Sequence, residues 1–227
     1  MDPKEAIVWY VVFLFSVIFH EAAHAWAAKK GGDLTAYLGG QVSLDPIPHI
    51  KREPIGMIVL PIISLFIIHW PFGFASAPYD PIWAYRNHKK AAWMAMAGPA
   101  SNLLLTIISI LIIKVGLALG YFEIPSIAYF SVLISPTTDS PLLNNICLFL
   151  SIFCSMNLLL AIFNILPFPP LDGSEIISFF LTQSQSHRYK QFINQPMFGF
   201  LGIYIAWNAF GPIFDVVFKA LLQILYF

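Results

Sequence analysis

The segment that decides the fold is AIVWYVVFLFSVIFHEAAHAWAA, Ala6 to Ala28. It has 23 residues, of which only Ser16, His20, Glu21 and His24 are not apolar. About 20 such residues cross the hydrocarbon of a bilayer as one helix. The run is longer than a signal-peptide core and carries three ionisable groups, so it reads as a retained membrane helix. On a helix His20 and His24 lie one turn apart on one face, and both imidazoles can reach a single ion. Glu21 is offset by about 100° and points beside that ion, towards a bound water. This geometry suits two zinc ligands and a general base. Three ionisable side chains in lipid cost several kcal/mol together unless they are paired or bind something. The alternative is a polar cluster satisfied by neighbouring helices.

The rest of the chain has the same solvent. Of 227 residues, 58% are apolar and 11% charged, with zero net charge. Ordinary soluble domains carry about 25% charged residues. So few charges cannot cover a water-soluble globule, which excludes a cytosolic enzyme, a disordered chain and a nucleic-acid binder. Further spans are Ala91–Ile113 and Asn145–Leu166. Pro54 to Tyr79 is uncharged but interrupted by Pro61, Pro71, Gly73 and Pro78. Met197 to Phe227, broken at Gly211-Pro212, is one kinked helix or two short ones. Cys147 and Cys154 read as small buried apolar residues.

Leu34 to Leu44 reads as two short strands around Gly39-Gly40, a hairpin signal, against the plainer reading of a flexible loop. A catalytic zinc wants a third protein ligand and an open position. Asp172 is the outstanding candidate, following Pro167, Pro169 and Pro170, which end the preceding helix. It could instead, or also, cap the run that begins near Glu175. Asn157 and Asn164 are seven apart on one helical face and offer a polar lining for water. His49 could be a gate or an alternate ligand, although a loop histidine at the membrane surface is the simpler reading. His69 reads as interfacial and His88 as part of a basic surface patch. Asn102 reads as a cross-helix hydrogen-bonding residue, with Gly98 letting backbones approach.

The motif His20-Glu21-Ala-Ala-His24, then Ala97-Gly98-Pro99-Ala-Ser-Asn102, then Asn164…Pro167…Leu171-Asp172-Gly173 together resemble the site-2 protease family of intramembrane zinc metalloproteases, compact prokaryotic type. The resemblance implies an all-α polytopic membrane protein with a small β-hairpin and about four to six membrane segments around an intramembrane zinc site. It implies one Zn²⁺ per chain held by His20, His24 and Asp172, with Glu21 as base and Asn164 binding substrate or stabilising the oxyanion. It implies transmembrane protein substrates in a lipid bilayer, cut in regulated intramembrane proteolysis. Residues 1–227 are expected to form a single domain with no PDZ or other soluble module.

His20 and His24 lie near the end of their helix, and Asp172 lies just past the end of its own. These two helices must therefore run in the same direction, which three full crossings would forbid. Pro54 to Pro78 is accordingly expected to enter and leave by one face, with Gly73 to Pro78 lining the site. Lys29, Lys30, Lys51, Arg52, Arg86, Lys89 and Lys90 then share that face, which places the site nearer the cytoplasmic side of a prokaryotic cell membrane. An unwound substrate is expected to add to the edge of the hairpin, making Gly39 and Gly40 substrate-binding. The rival readings are a metal-binding transporter and an inactive scaffold of the same family.

Overall fold

Asp2 and Pro3 open the first helix, α1, Pro3–Gly31. The Asp2 carboxylate accepts from the Lys4 N–H at 3.2 Å, and Pro3 occupies a first-turn position where no N–H is needed. Gly32, in the left-handed region at φ 101°, ends it, with Lys29 and Lys30 against the negative end of the helix dipole. The structure, a computed structural model, describes residues 2–227.

After α1 come two short helices, α2 (Thr35–Leu38) and α3 (Pro46–Arg52). A widened π turn, Ile55–Val59, then leads into α4, Leu60–Ile68. Pro61 has no N–H for the carbonyl four residues back, and the widened turn absorbs that defect. At the tip Trp70 packs on Trp9 and Phe130, with ring centroids 4.9 and 4.7 Å away. Trp9 is 11 positions before His20, roughly 16 Å along α1. The chain returns without regular structure. The Phe72 N–H donates to Ser64 Oγ at 2.7 Å and the Phe74 N–H to Gly56 O at 3.1 Å. At the mouth Ser76 Oγ donates to Glu53 Oε1 at 2.6 Å, and the Asp80 N–H donates to Asp33 Oδ2 at 2.9 Å. Residues 54–80 therefore leave from and return to the end of α1, as a re-entrant element. Irregular backbone at membrane depth is tolerated where protein or a wet cavity covers it.

Next, α5 (Pro81–Arg86) precedes α6, His88–Ala118. Lys90 Nζ donates to Gly31 O at 3.1 Å, so α6 starts where α1 ends and runs back against it. Two-residue strands β1 (Phe122–Glu123) and β2 (Ser135–Pro136) pair antiparallel in the far connection. The chain then enters α7, Pro141–Ile165, parallel to α1. Past it lie α8 (Asp172–Ile176), a 3₁₀ turn at Ile177–Phe180, α9 (Gln183–Ile193) and α10 (Pro196–Tyr226). Among the described residues α1, α6, α7 and α10 are long and apolar enough to cross a membrane. The far end of the bundle is a core of Ile113, Leu133, Leu150, Cys154 and Leu221. There Lys114 Nζ donates to Ile224 O at 2.7 Å, which fixes the end of α10.

The helical class with one small antiparallel pair is as expected, but the pair is not at Leu34–Leu44. Asp33 Oδ1 accepts from the N–H and the hydroxyl of Thr35 at 2.9 and 2.6 Å, which starts α2 instead. Of the two glycines only Gly40 has a positive φ, 78°, whereas Gly39 sits at −75°. A tight primed hairpin turn needs a positive φ at its first central residue, which Gly39 lacks. The C-terminal run resolves as one helix that contains Pro212.

Candidate functional site

Three helices and one turn assemble the site. α1 presents His20, Glu21 and His24, all buried in spite of their charge chemistry. α6 crosses α1 at Gly98. A Cβ built on Gly98 would fall among the His20 and His24 Nε2 atoms, so glycine there leaves open the volume those nitrogens face. α7 ends at Ile165, and a turn hydrogen-bonded from Phe168 N to Leu166 O and from Leu171 N to Phe168 O carries the chain to Asp172. Leu166 and Leu171 pack with Ala206 of α10, which anchors the turn. A Cβ on Gly173 would strike the carbonyls of Ile165 and Leu166, so the glycine after Asp172 is what lets α8 fold back on α7.

His20 Nε2 and His24 Nε2 are 2.9 Å apart. Asp172 Oδ2 lies 3.0 Å from the first and 3.3 Å from the second. The Asp172 side chain is not a helix cap, since its carboxylate is directed at the two imidazoles. One Glu21 oxygen and the two histidine nitrogens lie within 4.8 Å of one another, and Glu21 Oε2 is buried with no hydrogen-bond partner.

The other ring nitrogens meet acceptors. His24 Nδ1 is 2.7 Å from Met94 O, and a carbonyl can only accept. His20 Nδ1 is 2.5 Å from Asn102 Oδ1. Both Nδ1 atoms therefore donate, so in the neutral rings both Nε2 atoms turn lone pairs towards the Asp172 carboxylate. Three acceptors so close repel one another unless a proton or a metal cation lies between them. Tetrahedral zinc with bonds of about 2.0–2.1 Å holds its donors roughly 3.3 Å apart, near the separations found. The donor set, the space at Gly98 and the orphaned Glu21 oxygen all fit a three-coordinate catalytic metal with one open position.

A cavity of about 530 Å³ meets these residues. Ala75, Ser76, Ala77 and Tyr79 of the re-entrant return line one wall, so the expected lining role of Gly73–Pro78 holds for Ala75 to Ala77. Asn164 lines the cavity and donates to Leu160 O at 3.0 Å. Asn194, Gln195 and Gly199, from the α9–α10 junction, line it from the other side. Gly39 and Gly40 are outside the lining. Asn157 is also outside it, fully buried among α1, α6 and α7, which corrects its expected contact with water. His49 is 1% exposed on α3 and donates from Nε2 to Ser43 O at 2.9 Å, so it is neither a surface nor a cavity residue. His88 donates to Leu181 O at 3.1 Å, tying α6 to the stretch before α9.

Sequence reasoning missed the Met94 carbonyl, because a backbone acceptor carries no side-chain signal. It also missed the ion pair of Lys190 with Glu175, a cavity-lining residue one turn past Asp172.

The chain matches the family model of peptidase family M50 over residues 8–204. It belongs to peptidase family M50, the site-2 protease family. It is 29% identical over 228 residues to the Bacillus subtilis (strain 168) protein named "Putative zinc metalloprotease YwhC", with 93% of each chain covered. No solved structure matches it. As an M50 protein with four membrane-length helices, it is a multi-pass membrane protein.

Proposed function

We propose that this M50 protein is a zinc metalloendopeptidase that hydrolyses peptide bonds in or near transmembrane segments of other membrane proteins. His20, His24 and Asp172 hold one Zn²⁺ per chain. The observation that carries the reading is the convergence of two imidazole nitrogens of α1 and the Asp172 carboxylate of α8 within 3.3 Å, with both histidines buried in an apolar helix bundle. The chemistry supplied by a bound zinc is polarisation of the scissile carbonyl and activation of water. Glu21, held beside the donors with one oxygen unpartnered, takes the proton of that water and delivers it to the leaving amine. Asn164, on the cavity wall, binds the substrate backbone or stabilises the developing oxyanion. The backbone available to an unwound substrate is the cavity-facing return at Ala75–Ala77. Gly39 and Gly40 take no part, because no strand edge exists there and neither lines the cavity.

Residues 1–227 act as one domain. The site lies nearer the cytoplasmic face of a prokaryotic cell membrane. The support is charge: Lys29, Lys30, Lys51, Arg52, Arg86, Lys89, Lys90, Arg188 and Lys190 gather at the site end, against Lys4, Lys114 and Lys219 elsewhere. The test is purified protein in detergent, assayed for bound zinc and for chelator-sensitive cleavage of a membrane-peptide substrate. Tight zinc with cleavage supports the reading. Zinc without cleavage makes the protein a scaffold, and zinc flux into vesicles makes it a transporter.

A further inference from the structure

Ser16, His20, Asn102 and Asn157 form a dry chain of hydrogen bonds across α1, α6 and α7. Ser16, Asn102 and Asn157 are completely buried. Asn157 lies outside the cavity, so the reaction itself gives this asparagine no task. Asn157 Nδ2 donates to Phe153 O at 2.8 Å and to Ser16 Oγ at 3.0 Å. Phe153 O is a backbone carbonyl and cannot donate, so the amide of Asn157 has one allowed orientation. Its Oδ1 therefore faces α6, where it accepts from Asn102 Nδ2 at 2.8 Å. The same Asn102 nitrogen donates to Ser16 O at 3.1 Å, a second carbonyl. With both of its N–H bonds committed, Asn102 must turn Oδ1 to His20 Nδ1.

We infer that Asn157 is a positioning residue for His20. Acting through Asn102, it keeps the His20 proton on Nδ1 and leaves Nε2 free to ligate. The inference rests on the proposed zinc site. Two backbone carbonyls set the direction of the whole chain, because neither can exchange its role as acceptor. Reversing the Asn102 amide would set its oxygen against Ser16 O and Asn157 Oδ1. It would also offer His20 Nδ1 a donor, moving the imidazole proton to Nε2 and closing that nitrogen to a metal. His24 needs no such device, since Met94 O accepts from it directly. Partners one step beyond a ligand typically change metal affinity by about 10–100-fold when removed. Asn157 stands one step further out, and its effect travels only through the orientation of Asn102.

The experiment uses full-length protein in detergent with ¹⁵N-labelled histidine rings. The metal-free protein is measured at alkaline pH, where the rings are neutral, and zinc affinity is measured by chelator competition. In the unaltered protein the His20 ring is expected to report a proton on Nδ1. In Asn157→Leu, part of the signal is expected to move to the Nε2-protonated form, with zinc affinity falling about tenfold. Asn157→Asp, protonated in this dry interior, keeps an acceptor for Asn102 and one donor, and is expected to stay within a few-fold of the parent. A His20 proton on Nε2 in the unaltered protein overturns the inference, even if Asn157→Leu does not fold. An unchanged tautomer and affinity in folded Asn157→Leu overturns it as well. If the unaltered protein binds no zinc but shows the Nδ1 tautomer, the zinc reading fails and the hydrogen-bond chain stands.

Discussion

Asp172 stands 152 positions after His20, yet its Oδ2 is 3.0 Å from the His20 Nε2. Everything between them serves to bring two parallel helices, α1 and α7, to the same depth with their ends at one face. Removing the carboxylate charge while keeping its shape isolates what that contact contributes. Asp172→Asn is expected to lower bound zinc to well under one per chain and to abolish cleavage, with the helical content retained. Metal analysis after gel filtration and circular dichroism check this. Full zinc occupancy in the variant would remove Asp172 from the ligand set.

Glu21 has a buried oxygen with no partner, beside the two histidine nitrogens, and is the base in the proposed reaction. Glu21→Gln is expected to keep zinc and fold and to lose cleavage by about 10²–10⁴-fold, the usual contribution of a general base. Turnover of a membrane-peptide substrate beside metal content measures it. Undiminished turnover sinks the assignment.

Gly98 faces both Nε2 atoms with no side chain between. Gly98→Ala adds one methyl group there. It is expected to weaken zinc by at least about tenfold, comparable to the loss of a group supporting a ligand. Cobalt(II) titration followed by its visible spectrum reads the effect. An unaltered spectrum and affinity would mean that the ion sits elsewhere.

The return of the re-entrant element is clasped by Asp33, which accepts from Thr35 and from the Asp80 N–H. Burial works to raise the Asp33 carboxyl, but those donors outweigh it and hold its pKa below the ordinary value. A folded-state pKa below the unfolded one stabilises the fold above the unfolded value, and that stability is lost as pH falls through the folded one. Asp33→Ala is expected to destabilise this region by about 1–3 kcal/mol at neutral pH and to remove part of the acid sensitivity. Limited proteolysis between Asp33 and Asp80, scanned over pH, makes the measurement. Equal cleavage rates in both proteins at neutral pH would count against the clasp.

Single cysteines replacing Arg52 and Tyr79 are expected to react with an impermeant label from the same membrane face. Arg52 Nε donates to Ser76 O at 3.1 Å, so departure and return are side by side. Labels on opposite faces would turn the element into a full crossing and set α1 and α7 antiparallel.

Much of this was legible in the residues. The spacing of His20 and His24 defines a helix face, and an ionisable group in an apolar run demands a partner wherever the chain finds one. That residues 54–80 return to the end of α1 follows from the positions of His24 and Asp172 once both are taken to face one site. The Gly39-Gly40 turn misled because a dipeptide signal says nothing of neighbours. The Asp33 carboxylate, six positions earlier, captures Thr35 and winds the chain into α2 instead. Asn157 misled for a related reason. Its stripe with Asn164 is real, but the close packing of α1 and α6 seals one end of that face and leaves the other on the cavity.

The re-entrant element also fixes the handling of the chain's two tips. With four membrane-length helices and an element that returns to the end it leaves, the residues around Pro3 and those around Tyr226 lie at one end of the bundle, opposite Asp172. An epitope or reporter joined near Pro3 or near Tyr226 is expected at that one end of the bundle, away from Asp172.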